Sequence, residues 1–508
     1  MQSMRVSTAM ALVLGIAAAF GPATVQSQSA PINRTPPVVA GDANTRISVA
    51  ATGAPIINIA VPRADGTSYN VFSTFNIGRE GTIFNNSPTI GDSVLGGKTL
   101  PNPALVRSGS TATLILSEVL GGTRSSLRGP MEVFGPSAAL VIANPSGITC
   151  DGCGFINVPR ATLSTGRMVF GSNGAFTGLR VGGGDVKIEG QGLLAGNVDF
   201  FDIVTAATNL SANIYARDLM ISGGVADYDY ARRVTTGGVG SAQFAIDSSL
   251  LGGMYANRIR LIGNGAGIGM NLQGLVNALD GALVITADGH IAVQSAASSQ
   301  QLTIRSASGD VAVGDQLYAG DSTLISAGRD ILQSGDLIGA AHDVNLDAVG
   351  DVQLSGSGVY AGLGANGTLD QVGALSISAG GVVRGTGVHA IATGDAGLSA
   401  IGATFDAPSI VSGRNVTLRT SQNLISSGRI EGTNDVVLDA EQIRLAGDVI
   451  ANGLLDIRAQ DVSLGGRAAG LAKFSVRASN AVDANAAADL QSKGSVDIAS
   501  LSFSNEGQ

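Results

Sequence analysis

Cys150 and Cys153 are the only thiols in the 508-residue chain, and two residues separate them. That spacing serves a thiol–disulfide redox centre when a helix comes after it, half of a zinc site when a second ligand pair exists, or a small disulfide loop in an oxidising compartment. No second ligand pair is present, and His290, His342 and His389 are all remote from the cysteines in sequence. The segment after Cys153, GFINVPRATLSTG, reads as β-structure rather than the helix a redox motif needs. A structural disulfide is therefore the reading, with no metal ligands, cofactor or catalytic residues assigned.

The cysteines sit inside residues 140–166, where an apolar run ending at Ala143 breaks at Asn144-Pro145 and turns through Ser146-Gly147 before a second strand-like segment. Pro145 has no N–H for a strand ladder and biases Asn144 away from helix, while Gly147 supplies backbone freedom for a tight turn. The local prediction is strand, turn, clipped loop, strand. Composition agrees with a chain built this way throughout: 72 glycines, no tryptophan and 4% aromatics do not suit one large globular core. A formal charge of −9 gives no electrostatic basis for binding nucleic acid or anionic lipid.

Residues 1–30 read as a signal peptide: Arg5, an apolar stretch from Ala9 to Phe20 too short to span a bilayer, and small-residue cleavage sites near Ser27 and Ala30. Export is what makes the disulfide chemically reasonable. From residue 36 onward short alternating runs such as ATLILSEV, AALVIA and RIRLIG are punctuated by Gly, Asn, Asp and Ser, which predicts an all-β chain. Beyond residue 280 the runs recur about every twenty residues, opened by Gly309-Asp310-Val311, Gly350-Asp351-Val352 or Asn434-Asp435-Val436. A degenerate repeat of that length without a leucine-rich frame predicts a right-handed parallel β-helix, a solenoid with small extra-helical loops or hairpins. Tyr228, Tyr230, Arg232 and Arg233 read as a solvated loop excursion from it.

Several segments, in order, resemble the secretion domain of two-partner-secretion exoproteins, the family of filamentous haemagglutinins, large haemolysins and contact-dependent inhibition proteins. They are Tyr69 to Ile77, Phe84-Asn85-Asn86-Ser87, Asn102-Pro103-Ala104-Leu105, Ile115 to Val119, Asn144-Pro145-Ser146-Gly147-Ile148, the Cys150 to Asn157 stretch, Ile188 to Leu193 and Phe244 to Gly263. The resemblance implies a secretion domain over 31–275 and haemagglutinin-type β-helix repeats over 276–508, the latter expected to be truncated because the last residues still alternate like a strand. It makes Asn102 to Leu105 and Asn144 to Ile148 the secretion motifs, read here as two β-turns. Ala104 and Ser146 stand where the family usually has asparagine, whose side chain bonds its own turn backbone better than Ser and unlike Ala.

The function implied is that of a secreted or cell-surface exoprotein of a Gram-negative bacterium, acting as a filamentous-haemagglutinin-like adhesin. The alternatives are a haemolysin or the shaft of a contact-dependent growth inhibition toxin lacking its toxin domain. Implied partners are the Sec translocon, the periplasmic POTRA domains and barrel of an outer-membrane TpsB-type transporter, and host-cell or neighbouring-bacterium receptors or glycans. A β-helical polysaccharide-degrading enzyme is the rival class; it needs paired carboxylates in one cleft, and the nearest local signature is Asp288-Gly289-His290. The reading is that the chain is not an enzyme.

Overall fold

The computed structural model describes residues 38–239, 243–356 and 358–506, so the signal-peptide reading lies outside the described residues. Two compact units divide the chain, meeting in sequence between Leu279 and Asp280. In the unit from 38 to 279, three columns of parallel strands wind as a β-solenoid. The first column runs from Pro55–Asn58 through Thr82–Asn85, Pro130–Phe134 and Cys153–Ile156 to Val276–Ala278. The second runs from Thr67–Thr74 through Leu114–Val119, Ala139–Ala143, Arg160–Ser164, Phe200–Thr205 and Asp218–Gly223 to Arg258–Gly263. The third runs from Ser125–Leu127 through Ile148–Cys150 and Asp185–Ile188 to Gly269–Leu272.

Alternation explains the core. Residues two apart in a strand share a face, and in-register stacking turns each inward position into an apolar column, such as Ile115, Leu140, Ala161, Phe201, Leu219 and Ile259, all fully buried. Phe72, Phe75 and Phe84 fill the first coils, with the Phe72 and Phe75 rings edge to face at 5.0 Å. The edge of the first coil is covered by antiparallel pairing of Arg46–Val49 with Pro55–Asn58, which removes an open template for other strands. The only helix among the described residues is Pro103–Ser108.

Two excursions leave the second column after Ser164 and after Gly223. Their strands, Gly166–Phe170, Phe176–Val181, Val225–Asp229 and Val234–Val239, combine into one four-stranded antiparallel sheet. It lies over the outward face of the second column, burying Leu116, Val141, Val204 and Met220 against Leu179, Val181 and Tyr228. Tyr228 and Arg233 are therefore not in a solvated loop as their sequence reads: Tyr228 is 2% exposed, and only Arg232 projects. The alternation that hides Tyr228 looks the same in a hairpin as in a coil strand.

One carboxylate locks this sheet down. Asp202, wholly buried, accepts from Arg160 (3.0 Å), from Arg233 (2.7 Å) and from the Tyr228 hydroxyl (3.1 Å). Arg233 also reaches Asp218 at 2.8 Å, and the Arg160 guanidinium stacks 3.6 Å from the Tyr230 ring centroid. Burial opposes the Arg233 charge, but Asp202 and Asp218 more than reverse this and raise its pKa. Burial, followed by the nearby Asp202 charge, drives the Tyr228 hydroxyl far above the tyrosine range; burial pushes Tyr230 up to about 12.

The unit from 280 to 506 is a plainer three-column solenoid. Leu302 stacks on Leu283, Thr323 on Leu302 and Val344 on Thr323, at the roughly twenty-residue step the sequence predicts. The exception is Leu375 on Val344, where a side loop bridged by Leu363 and Leu369 is inserted. The aspartates that open the repeats have a structural purpose: the carboxylate accepts from an amide of the next coil. Asp330 takes the Asp351 N–H (2.7 Å), Asp351 takes the Val382 N–H (2.8 Å) and Asp435 takes the Leu454 N–H (2.8 Å). Arginines from the next coil add charge, Arg329 on Asp310, Arg384 on Asp351 and Arg414 on Asp395.

These charges lead to two expected outcomes. Asp202→Asn leaves Arg160 and Arg233 under-compensated beneath the sheet and should destabilise the 38–279 unit by about 3–5 kcal/mol, measured by denaturant unfolding. In the repeats, Asp310 and Asp395 are held below the usual carboxylate range chiefly by their arginines, and Asp351 chiefly by the Val382 amide. A depressed folded pKa gives stability that is present above the unfolded value of about 3.9 and is lost as pH falls through the folded one. The thermal midpoint of the repeats should therefore drop as pH is lowered below about 4, and less steeply in an Asp351→Asn variant.

Candidate functional site: two asparagine corners

The two Asn-Pro segments are built on one plan although they shape the chain differently. Asn144 ends the strand Ala139–Ala143 and is completely buried. Its side-chain nitrogen donates to the Thr123 carbonyl (2.8 Å) and to Ser125 Oγ (2.9 Å) in the preceding coil, and its Oδ1 accepts from the Ser146 N–H (2.9 Å). The Gly147 N–H returns to the Asn144 carbonyl at 2.9 Å, closing the turn that the sequence predicts. Gly147 has φ +102°, a backbone region that favours glycine, and a Cβ there would lie 2.6 Å from the Arg124 guanidinium and displace it.

Asn102 repeats the pattern in another corner. Also fully buried, it donates to the Ile59 (2.9 Å) and Asn85 (3.0 Å) carbonyls and accepts from the Ala104 N–H (3.0 Å). Here the chain does not make the expected β-turn. Asn102 is the N-cap of the helix Pro103–Ser108, with Pro103 in its first turn and Leu105 fully buried beneath it. A capping asparagine followed by proline is a helix start, and proline at that position forfeits no hydrogen bond.

In both corners the third residue contributes its backbone N–H, and the first asparagine supplies the acceptor. The Ser146 side chain points to solvent and Ala104 is half-buried, so the departures from asparagine at these positions remove no bond that the corner uses. The two corners do not meet: one leans on Ile59 and Asn85, the other on Thr123 and Ser125. With their side-chain amides engaged, the asparagines leave Pro145 and Ser146, and Pro103 and Ala104, as the surfaces the corners offer.

Cys150 and Cys153 are joined by a disulfide, Cα to Cα 5.4 Å. Both point into the core, Cys150 stacked between Leu127 and Ile188 and Cys153 below Leu193. Around the corners stand polar side chains to which the sequence assigned no role, several of them within the segments that carry the family resemblance. Asn86 accepts from the Ala112 N–H (2.7 Å) and donates to the carbonyls of Ala112 and Pro136. Asn70, buried, accepts from the Ala60 N–H (2.9 Å). Tyr69 donates to Glu118, and burial first, then that carboxylate, drives its pKa well above the tyrosine range. Arg124 lies against Gly147 and pairs with Asp185. Asn70, a polar residue between Tyr69 and Val71-Phe72, carries a sequence sign of burial, whereas Asn86, between Asn85 and Ser87, and Arg124, between Thr123 and Ser125, carry none.

Among the described residues no group of three or more His, Cys, Asp or Glu side chains could hold a metal ion. A shallow groove of about 880 Å³ in the repeats is lined by Asp439 and Glu441, which come from one coil, beside Arg458 and Arg477. The paired carboxylates from adjacent coils that glycoside cleavage needs do not line it.

Residues 36–293 match the family described as "TPS secretion domain". The "16S rRNA endonuclease CdiA" of Enterobacter cloacae subsp. cloacae is 36% identical over 322 residues, which is 62% of this chain and 9% of that protein. The "tRNA nuclease CdiA" of Yersinia mollaretii is 37% identical over 338 residues, 62% of this chain and 11% of that one. The chain thus spans about a tenth of the length of these relatives. A crystal structure of a filamentous hemagglutinin secretion domain aligns over 62% of this chain and all of its own, with 29% identity and a TM-score of 0.48.

The corner geometry separates the two asparagines from the third positions experimentally. Asn144→Ala strands buried partners and should cost about 1–3 kcal/mol in denaturant unfolding. Ser146→Asn, on an exposed side chain, should change stability by less than about 0.5 kcal/mol.

Proposed function

The chain belongs to the two-partner-secretion exoproteins, and from that premise we propose that it acts as the secretion domain and proximal shaft of a contact-dependent growth inhibition exoprotein. A secretion domain is an address and not a catalyst, and proteins that carry it are secreted or held at the cell surface of Gram-negative bacteria. Membership implies Sec-dependent export and a cognate outer-membrane transporter. The observation that carries the finer reading is the identity of 36–37% to CdiA proteins over 62% of this chain. The nuclease activities in those names belong to those proteins; this chain is proposed to share their export and their stem.

In this reading residues 1–30 are the leader, 31–275 the secretion domain and 276–508 the shaft. Asn102 to Leu105 and Asn144 to Ile148 are the motifs on which transporter recognition depends, and the Cys150–Cys153 loop stiffens the coil beside the second one. A filamentous-haemagglutinin-like adhesin that binds cell-surface receptors or glycans takes second place, since the CdiA relatives are nucleases by name. The two part on a growth assay: this shaft, fused to a CdiA toxin region and displayed with its transporter, should inhibit contacted neighbours, whereas an adhesin should aggregate or attach cells without any fusion.

Export itself is directly testable. Co-expressed with the cognate transporter, a fragment ending at residue 275 should reach the medium, and without the transporter it should stay periplasmic. Export of a fragment ending at 293 but not of this one would move the boundary, and retention of both beside an exported full chain would sink the domain assignment.

A further inference from the structure

Arg124 belongs to neither motif, yet its guanidinium spans three successive coils at the Asn144 corner. It leaves the chain just before the third-column strand Ser125–Leu127. It donates to the Ile148 carbonyl (2.9 Å) and Thr149 Oγ1 (3.3 Å) in the next coil, then to the Asp185 carbonyl (3.3 Å) and carboxylate one coil further on, 61 residues away in sequence. The same upper coil closes over the corner from its other side. Gly184, at φ +78°, passes so near that a Cβ there would be 2.7 Å from the Pro145 carbonyl oxygen. The turn is thus held from below by Asn144 bonding Thr123 and Ser125, and from above by Arg124 and Asp185.

We propose that Arg124 and Asp185 are positioning residues for the Asn144–Ile148 corner, fixing the surface made by Pro145 and Ser146 once the chain as far as Asp185 has wound. This rests on the reading of that corner as part of the secretion address. Arginine suits the task because its rigid planar fork holds five donors in fixed directions and reaches acceptors in two coils at once, whereas a lysine ammonium is a compact charge with three donors on a flexible stem. Both side chains are about a quarter to a third exposed, at 32% and 25%, so the pair shapes a surface corner rather than supporting the core.

The experiment uses the full chain with its transporter and compares Arg124→Met, Arg124→Lys, Asp185→Asn and Asn144→Ala. Hydrogen exchange on the exported protein should show the Ser146 and Gly147 amides losing protection about tenfold in Arg124→Met and Asp185→Asn, while Arg160–Ser164 keeps its own. The secreted amount should fall severalfold in both, in the direction of Asn144→Ala, with Arg124→Lys in between. Unchanged protection at the corner would overturn the clamp. Lost protection with full secretion, while Asn144→Ala still fails, would overturn its part in recognition. Normal secretion of Asn144→Ala would remove the address reading itself, and the proposal would fall with it.

Discussion

Within each unit, the inner coils depend on the main-chain hydrogen-bond ladder to the coils on either side. A β-strand buried between neighbours has amides and carbonyls on both edges, and leaving one of them without a partner inside the protein costs about 1–3 kcal/mol. Strands satisfy this by stacking in register. Corners cannot, because there the backbone changes direction and its polar groups turn inward or aside. The side chains at the corners are what complete the ladder, and their chemistry comes from that need. Asparagine carries both a donor and an acceptor on a short arm, and it is the corner residue at 86, 102 and 144, each buried and each bonded to backbone of its own or an adjacent coil, while Asn70, inside the strand Thr67–Thr74, takes the Ala60 N–H in the same way.

The two units answer the same need with different residues. In 38–279 the corners are irregular, insertions are frequent, and buried asparagines recur at no fixed step. In 280–506 the step is nearly constant, and aspartates before the strands accept from the coil above, with arginines alongside. A carboxylate in these part-exposed corners is opposed by some desolvation, which its amide and arginine partners more than offset, and it makes a stronger acceptor than an amide. It also ties that half of the molecule to pH in a way the asparagine corners do not.

How much of this was legible depends on the range of each interaction. Strand alternation and glycine punctuation are local, so the parallel solenoid, the repeat step and the turn at Asn144 could all be read from the chain. The helix at Pro103 carried its signal too, an Asn cap followed by proline, but the likeness to the Asn144 segment argued for a turn. The four-stranded sheet over the second column could not be placed, because strand direction leaves no trace in alternation, and Tyr228 looks the same in a hairpin or a coil. Asp202 did leave a sign: a charge between Phe201 and Ile203 in an otherwise apolar strand must find partners. Which arginines it finds, 42 and 31 residues away, only the fold determines.

The Cys150–Cys153 bond has a consequence for topology. It joins residues three apart inside one corner, whereas the coils it borders are held to one another by hydrogen bonds, ion pairs and packing. The oxidised chain therefore has no covalent loop larger than that corner. Drawn out, it is still a single file with one small knuckle, and oxidation before passage through a narrow channel would never force two lengths of chain to travel abreast.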